Sequence, residues 1–489
     1  MIDDCSLTQS HNAARTGEHS GLAGKARCEK KLLPFGQGRA IALLILALVF
    51  AAQATTAQQA PSVLAPDERF KTDVLLVVAH PDDETAISGY LARIIFDQQR
   101  RVAVVFATRG DAGGNSAGYE QAAALGAIRE IEARRALASF GVLSVWFLGA
   151  PDTAGQDVLR SLETWRHGAA LEQLVRLVRL TRPEVILTWL PVCVAGENHG
   201  DHQAAGVIAT EAFDLAGSPV AFPSQVSPPR DRTSINNLTE GLRPWQPKKI
   251  YFFSDASHFE FMDAKGPMYA TTDVSPSKNV PYYRLSADEW TNHRTQGEVA
   301  AVAKRAIDSG DFKELTQPER FVLGKSLVKS STTGDVFDGI SAEPLAFVPV
   351  KGYKPESRSG LTLELGGPWS FYRGFWKAHD VDHLATLLTP EISVGVSQSL
   401  TVPLVIRNDS DQTVELKLIT SHGDGWSERA RFSSFTVPAR SSYPLQSVLT
   451  PKAHVAKGWH EVTWTLETAG KTGSSITLRV FLVAGGLPQ

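Results

Sequence analysis

Two rhythms of apolar and polar positions run along this chain. Between 73 and about 310, short β-branched and apolar runs alternate with longer stretches whose apolar positions recur at helical spacing. The runs 74–79 (VLLVVA), 101–108 (RVAVVFAT), 144–149 (SVWFLG) and 184–189 (EVILTW) are almost continuously apolar, as strands buried on both faces are. A fifth run, 248–253 (KKIYFF), predicts an extension of the same sheet. Helix-period positions fill 86–98, 119–140 and 159–181, and 286–309 reads as a further helix. This alternation predicts right-handed βαβ units, an α/β fold whose parallel sheet is covered by helices on both faces.

From 389 the texture changes to short alternating runs at 400–407, 414–420, 431–437, 460–468 and 475–483, separated by turn residues. Their spacing predicts an all-β sandwich. The stretch 218–247, rich in Pro, Ser and Asn, predicts a surface loop bordering the site. Between 312 and 388 there is no clean periodicity, only an aromatic patch of Trp369, Phe371, Tyr372, Phe375 and Trp376. Near the start, Lys25, Arg27, Lys30, Lys31 and Arg39 precede the apolar run 40–52 (AIALLILALVFAA), and small-residue triplets suited to cleavage follow. That run is short for a spanning helix, so an export signal is expected, with an uncleaved membrane anchor as the alternative. The chain therefore divides into an export signal and flank (1–60), a catalytic α/β domain (70–310), a connecting segment of unassigned structure (311–388) and a β-sandwich (389–489). Export implies a periplasmic or extracellular protein with no stable membrane association after cleavage.

At 489 residues the chain exceeds what one core usually organises, in keeping with two domains. A net charge of −3, from 49 basic and 52 acidic residues without a long single-sign block, gives no reason to expect nucleic acid or an anionic membrane as partner. Cys5 and Cys28 lie in the segment expected to be removed, which leaves Cys193 alone and the mature chain without an internal disulfide. Cys193 is expected to be a small buried residue after a strand; a nucleophilic role would need a neighbourhood that stabilises the thiolate.

The candidate chemistry sits at strand ends. The segment 79–84 (AHPDDE) follows the first strand and precedes the first helix, where an open parallel sheet presents residues to a ligand crevice. His80 and Asp83, three positions apart, can reach one small cation while the intervening Asp82 handles protons. Three acids so close repel one another unless a cation or protons neutralise them. A second cluster, 197–202 (ENHGDH), follows the fourth strand on the same sheet edge. Together the clusters supply a His, Asp and His set with room for water, as a catalytic zinc or another first-row divalent metal requires. Each cluster alone could simply cap a helix; two histidine-bearing clusters at matching strand ends argue for the metal.

The ordered motifs AHPDDE, 108–113 (TRGDAG), 129–132 (REIE), 147–149 (FLG) and 199–202 (HGDH), spread over about 71–296, resemble the PIG-L/LmbE family of zinc-dependent N-deacetylases. The resemblance implies a Rossmann-like domain in which His80, Asp83 and His202 hold zinc, Asp82 is the general base, and a protonated His199 stabilises the oxyanion. It also implies substrate contacts from Arg109 and Arg129, and an N-acetylated amino sugar or glycoconjugate as substrate. Many members carry Pro where this chain has Gly200, a change expected to alter the loop but not the ligands. The C-terminal runs, with 402–407 (VPLVIR), Asn408 and Gly425-Trp426, resemble the immunoglobulin-like domain associated with α-galactosidases. Its Trp426, Trp459 and Trp464 are expected in the core, with stacking on sugar rings the alternative. None of the proposed ligands lies there, so a chain cut near Leu388 is expected to stay active provided the sandwich covers no large apolar surface. The competing functions are an amidase acting on a sugar conjugate, a phosphoesterase with a second metal and more basic residues, and a carbohydrate-binding protein that would need no Asp82.

Overall fold

The structure, a computed structural model, describes residues 66–484 apart from 197–198, 232, 234, 236, 355–358, 397 and 431–432. The export signal expected at 1–60 lies outside the described residues. The five predicted strands form as β1 (Val74–Val78), β2 (Val102–Phe106), β3 (Ser144–Phe147), β4 (Val185–Trp189) and β5 (Lys249–Phe253). β6 (Met268–Tyr269) and β7 (Glu319–Arg320) make a separate two-stranded ribbon, and β8 (Val322–Ser326) closes the main sheet. The sheet order is β3-β2-β1-β4-β5-β8, parallel except for β8, which runs antiparallel to β5. Every residue of β1, β2, β4 and β5 is buried, which is why their sequences are continuously apolar, whereas edge strand β3 is largely half-buried.

The chain fills one side of β1 with β2 and β3, then crosses to the other side with β4 and β5. The order reverses between β1 and β4, the position at which an open α/β sheet leaves a crevice beyond its carboxyl ends. The two motif clusters leave the sheet at these two strands.

The helices depart from the predicted spans where the chain turns to deliver side chains inward. α1 (Ala122–Ser139) matches its prediction, but 159–181 is broken into Val158–Thr164 and α2 (His167–Thr181). Arg166 adopts a left-handed φ of 52° at the break, and buried Trp165 donates its indole N–H to the Pro151 carbonyl at 3.1 Å. α3 (Gly200–Leu215) follows the second cluster, and the predicted helix 286–309 is two helices, α4 (Tyr282–Trp290) and α5 (Gly297–Ser309). The turn between them buries His293, Thr295 and Gln296. The segment 86–98 begins earlier than predicted, as a tight turn at Asp83–Ile87, one α-turn at Ser88–Ala92 and a wide turn at Arg93–Asp97. Apolar spacing reports which face is buried; it does not report these changes in hydrogen-bond pattern.

The segment 311–388 serves both halves: it supplies β8 to the first sheet and β9 (Leu361–Leu365) to the second region, with α6 (Pro368–Ala378) between that strand and the C-terminal strands. These are β10 (Glu391–Gly395), β11 (Leu400–Asn408), β12 (Val414–His422), β13 (Trp426–Ala430), β14 (Ser434–Val437), β15 (Ser441–Pro451), β16 (Gly458–Thr468) and β17 (Lys471–Val483). They build two sheets, β10-β17-β16-β12-β14 and β13-β15-β11-β9. The five predicted runs are β11, β12, β14, β16 and β17; β15 escaped because Pro444 and Pro451 interrupt its pattern. Trp426 and Trp464 are buried in this core, while half-buried Trp459 is covered by the Arg479 guanidinium 4.0 Å from its ring centroid. Cys193 is buried as well.

The C-terminal region is not a free appendage. One hydrophobic cluster runs from Val74 to Leu482, and α6 docks on the α/β half through a Tyr372 hydroxyl to Gln203 Oε1 bond of 2.6 Å and a Trp376 indole to Pro191 carbonyl bond of 3.0 Å. A cut near Leu388 keeps α6 and its contacts but removes strands that belong to the same hydrophobic cluster. Among the described residues no helix is long and apolar enough to cross a membrane.

α3 packs on the end of β4 through Gly206, where an added Cβ would collide with the Trp189 carbonyl oxygen. Gly206→Ala is expected to destabilise the protein by about 1–3 kcal/mol, the usual cost of overpacking, despite alanine's better helix propensity. Urea unfolding of the two proteins checks this; equal or greater stability in the variant would show that α3 can shift freely on β4.

Candidate active site

The chain leaves β1 through a strained corner. Asp82 holds φ 118° and ψ −13°, a conformation costing a non-glycine residue of order 1–3 kcal/mol. Its N–H donates to Glu84 Oε2 at 3.0 Å, and its carbonyl accepts from the Thr85 N–H at 2.9 Å and hydroxyl at 2.6 Å.

Asp83 divides its two oxygens. Oδ2 accepts from the Ala79 N–H at 2.8 Å, the His80 N–H at 3.0 Å and the Trp189 indole N–H at 2.6 Å. Oδ1 faces the crevice, 3.6 Å from His80 Nδ1 and 3.3 Å from His202 Nε2. His202 comes from the first turn of α3, its ring flat on Trp189 with centroids 4.2 Å apart and planes 2° apart. Tetrahedral ligands bonded at about 2.0–2.1 Å stand roughly 3.3 Å from one another. His80, Asp83 and His202 thus present one donor atom each within 4.8 Å of one another, two of the separations near the tetrahedral value, and the residues fit a metal.

The remaining nitrogen of His80, Nε2, lies 3.1 Å from Asp152 Oδ1 and 3.4 Å from Asp201 Oδ2. Carboxylates in this place fix the orientation and tautomer of a ligating imidazole. Asp201 is itself held by the Thr153 N–H at 2.9 Å and by the Thr153 hydroxyl. Sequence reasoning missed both acids, although Asp152 follows β3 on the same sheet edge and Asp201 lies within the second cluster.

The electrostatics follow from this packing. Burial would depress the His80 and His202 imidazoles, but their carboxylate partners outweigh it; His80 rises well above its ordinary range and His202 to about 9. Burial opposes ionisation of Asp83, yet His202 and His80 hold it well below the usual carboxylate range. Burial, followed by the Asp83 charge, pushes Asp82 up to about 7. His199 falls to about 3 through burial and the nearby His80 and His202. Its Nδ1 accepts from the Asp201 backbone N–H at 3.2 Å, capping α3, so the ring proton sits on Nε2. Burial and the two neighbouring imidazoles favour the neutral form of His199, with Nε2 as its donor, where the resemblance implies a protonated ring.

All five residues expected in catalysis or metal binding line one cavity of about 550 Å³, together with Arg129, Trp290 and Gln296. Arg109 does not line it; half exposed, it pairs with Glu130 at 3.1 Å. Arg129 is buried and donates from Nη1 to the Gly110 carbonyl at 2.5 Å and from Nη2 to the Gly114 carbonyl at 2.8 Å. It thereby shapes the 110–114 wall, and a Cβ added at Gly113 would press on its guanidinium, 2.6 Å from Nη1. None of the described residues of 218–247 lines the cavity, contrary to expectation.

A second buried cluster braces the corner from behind. His293 Nε2 lies 3.0 Å from Glu84 Oε1 and 3.4 Å from Glu289 Oε1. Burial raises Glu289 to about 7; burial opposes the charge on His293, but Glu84 and Glu289 raise it well above its ordinary value. The four-residue spacing of Glu289 and His293 was the available signal. Gln296, from the same turn, donates to the Pro81 carbonyl.

Residues 75–213 match the family model PIG-L, GlcNAc-PI de-N-acetylase. The 1D-myo-inositol 2-acetamido-2-deoxy-alpha-D-glucopyranoside deacetylase of Streptomyces scabiei is 32% identical over 303 residues, which is 56% of this chain and 92% of the relative. The deacetylase of the same name from Thermobifida fusca is 26% identical over 284 residues, 51% of this chain and 92% of the relative. Among solved structures, the N,N'-diacetylchitobiose deacetylase of Pyrococcus horikoshii aligns with 60% of this chain and 94% of its own at 16% identity and a TM-score of 0.36. On the extent of the match to the Streptomyces scabiei enzyme, with the family model spanning both motif clusters, the chain belongs to the PIG-L family of de-N-acetylases.

Proposed function

We propose that the protein is a zinc-dependent hydrolase that removes an N-acetyl group from an amino sugar or glycoconjugate. One observation carries this reading: His80 Nδ1, Asp83 Oδ1 and His202 Nε2 converge at metal-ligand spacing on the floor of a cavity that also holds the unspent carboxylate of Asp82. The acetamido sugar named for the curated relatives supports the substrate class. The donor set, two imidazoles and one carboxylate without thiolate, suits zinc.

His80, Asp83 and His202 would hold a zinc ion, which would supply Lewis acidity for polarising the amide carbonyl and activating a water. Asp82 takes the proton of the attacking water and returns it to the departing nitrogen, so the amide C–N bond breaks, a C–O bond forms, and acetate and a free amine leave. A cation beside Asp82 favours its ionised form, which suits a base near neutral pH. His199 donates from Nε2 to the acyl oxygen as negative charge develops there. Asp152 and Asp201 keep the His80 ring aimed, and Arg129 holds the loop that walls the cavity. The two C-terminal sheets we read as an immunoglobulin-like sandwich, supported by the inward burial of Val402, Leu404 and Ile406; export would bring the enzyme to envelope or extracellular glycans. Acetate release from N-acetylglucosamine conjugates by the purified protein, with and without a chelator, tests the whole reading. A zinc-loaded protein that frees no acetate from any such conjugate overturns it, and release of only larger acyl groups makes it an amidase instead.

The metal's affinity should depend on pH with a definite sign. The carboxylates around them push His202 up to about 9 and His80 well above its ordinary range, so at lower pH zinc must displace protons from its ligands. Affinity should therefore rise by about 10- to 100-fold per pH unit between pH 6 and 8, for one or two protons released. Competition against a chelator of known affinity measures this, and a flat profile would remove these imidazoles from the ligand set.

Two neighbouring carboxylates should separate binding from catalysis. Asp82→Asn removes the base but no ligand, so zinc stays and kcat falls by about 10²–10⁴-fold. Asp83→Asn weakens the metal itself by more than about 10²-fold, beyond what outer-shell changes cost. Zinc content and turnover measured on the same preparations decide; the opposite pattern exchanges the two roles.

A further inference from the structure

The chain runs from β4 towards His199 through Ala195 and Gly196, and the C-terminal β-region holds these two residues. Glu391, at the start of β10, is fully buried. Its Oε1 accepts from the Ala195 backbone N–H at 3.0 Å and lies 2.7 Å from His258 Nε2, while its Oε2 is 3.3 Å from Arg479 Nη1. Two residues along β10, the buried Ser393 accepts from the Gly196 N–H through Oγ at 3.2 Å and from Gln156 Nε2 through its carbonyl at 3.1 Å. On the opposite side, the Ala195 carbonyl accepts from the Ser257 N–H at 2.9 Å and hydroxyl at 3.1 Å. Gly196 itself has φ 100°, and a Cβ there would collide with the Ser257 nitrogen. The backbone is thus clamped on two sides within four residues of His199.

We propose that Glu391 and Ser393 are positioning residues for His199, so that the C-terminal β-region completes the deacetylase centre by fixing the loop that aims the oxyanion donor. The inference rests on the reading of this site as a deacetylase. Its physical basis is the division of anchors around His199. Downstream, Nδ1 is tied to the Asp201 N–H at the start of α3, and α3 carries His202 against Trp189. Upstream, a buried carboxylate and a buried hydroxyl take the two N–H groups of Ala195 and Gly196, and buried N–H groups left without an acceptor seek a new conformation. Removing the upstream anchors frees the approach to His199 without touching a proposed metal ligand. Because a donor to the developing oxyanion acts mainly in the transition state, its misplacement lowers kcat more than it raises KM.

The test compares zinc-loaded full-length Glu391→Ala, Glu391→Gln, Ser393→Ala and Leu449→Ala. Leu449 is buried in β15, on the other C-terminal sheet, and reports loss of stability alone. Each protein is assayed for deacetylation of an N-acetylglucosamine conjugate, zinc stoichiometry, melting temperature and amide hydrogen exchange in the 190–203 peptide. Glu391→Ala and Ser393→Ala are expected to keep their zinc, exchange faster in that peptide and lose about 10- to 100-fold in kcat, the range a displacement near 1 Å produces, with KM changed less than kcat. Glu391→Gln, which retains an acceptor oxygen for the Ala195 N–H, should recover part of that loss. Leu449→Ala should lower the melting temperature while leaving kcat and the peptide's exchange at wild-type values. Should Glu391→Ala fail to fold, Ser393→Ala carries the comparison. Unchanged kcat in the foldable variants, or an equal loss in Leu449→Ala, overturns the proposal. A wild-type protein inactive on every conjugate would instead remove the deacetylase reading, with the exchange data still deciding whether β10 clamps the loop.

Discussion

The site depends on how the buried Asp83 carboxylate is shared. Ionised and nearly inaccessible, it would be costly to fold without compensation. Three N–H donors converge on Oδ2, two from the backbone of its own turn and one from Trp189 on β4. That arrangement joins the carboxyl ends of the two central strands and leaves Oδ1 facing His80 and His202. The Trp189 indole serves twice, since its ring face supports His202 while its N–H fixes Asp83. Strand adjacency, metal-ligand spacing and ring orientation are therefore one geometric solution.

Around this point charge is arranged in layers. The inner layer has two imidazoles and a carboxylate; behind His80 stand Asp152 and Asp201, and behind the Asp82 corner stand Glu84, Glu289 and His293. The strained φ of Asp82 persists because neighbours on both sides specify it, with its N–H held by Glu84 and the Pro81 carbonyl by Gln296. The cost of strain is thus spread over residues far apart in sequence. The same packing disfavours charge on His199, whose imidazole is lowered by burial and by the neighbouring His80 and His202.

Much of this was legible in the sequence where local pattern and final environment coincide. Strands buried on both faces must be continuously apolar, so β1, β2, β4 and β5 were readable, and a parallel sheet presents its carboxyl ends together, so AHPDDE and HGDH could be assigned to one edge. The unreadable parts are those fixed by distant contacts. The helix breaks at Arg166 and at 291–296 exist to bury Trp165, His293 and Gln296. Asp152 lies just past the FLG motif but outside it, and Arg109 and Arg129, alike in sequence, separate into an exposed ion pair and a buried brace. β9 (LTLEL) and β10 (EISVG) do alternate, but over only five residues each, and the strands they pair with lie far along the chain.

The same limit explains why a separable C-terminal domain was the natural expectation. Composition changes sharply near 389, and no proposed ligand lies beyond it. Composition, however, records the secondary structure of a segment rather than what its surface touches. A buried acid such as Glu391 at the beginning of a β-run is the clue that was present, since a carboxylate placed in a core needs donors from somewhere. Here they come from Ala195, His258 and Arg479, drawn from both halves of the chain. A charged group that can be satisfied only when both halves are present couples their folding, which makes buried acids at apparent domain boundaries better indicators of integration than the boundary itself is of independence.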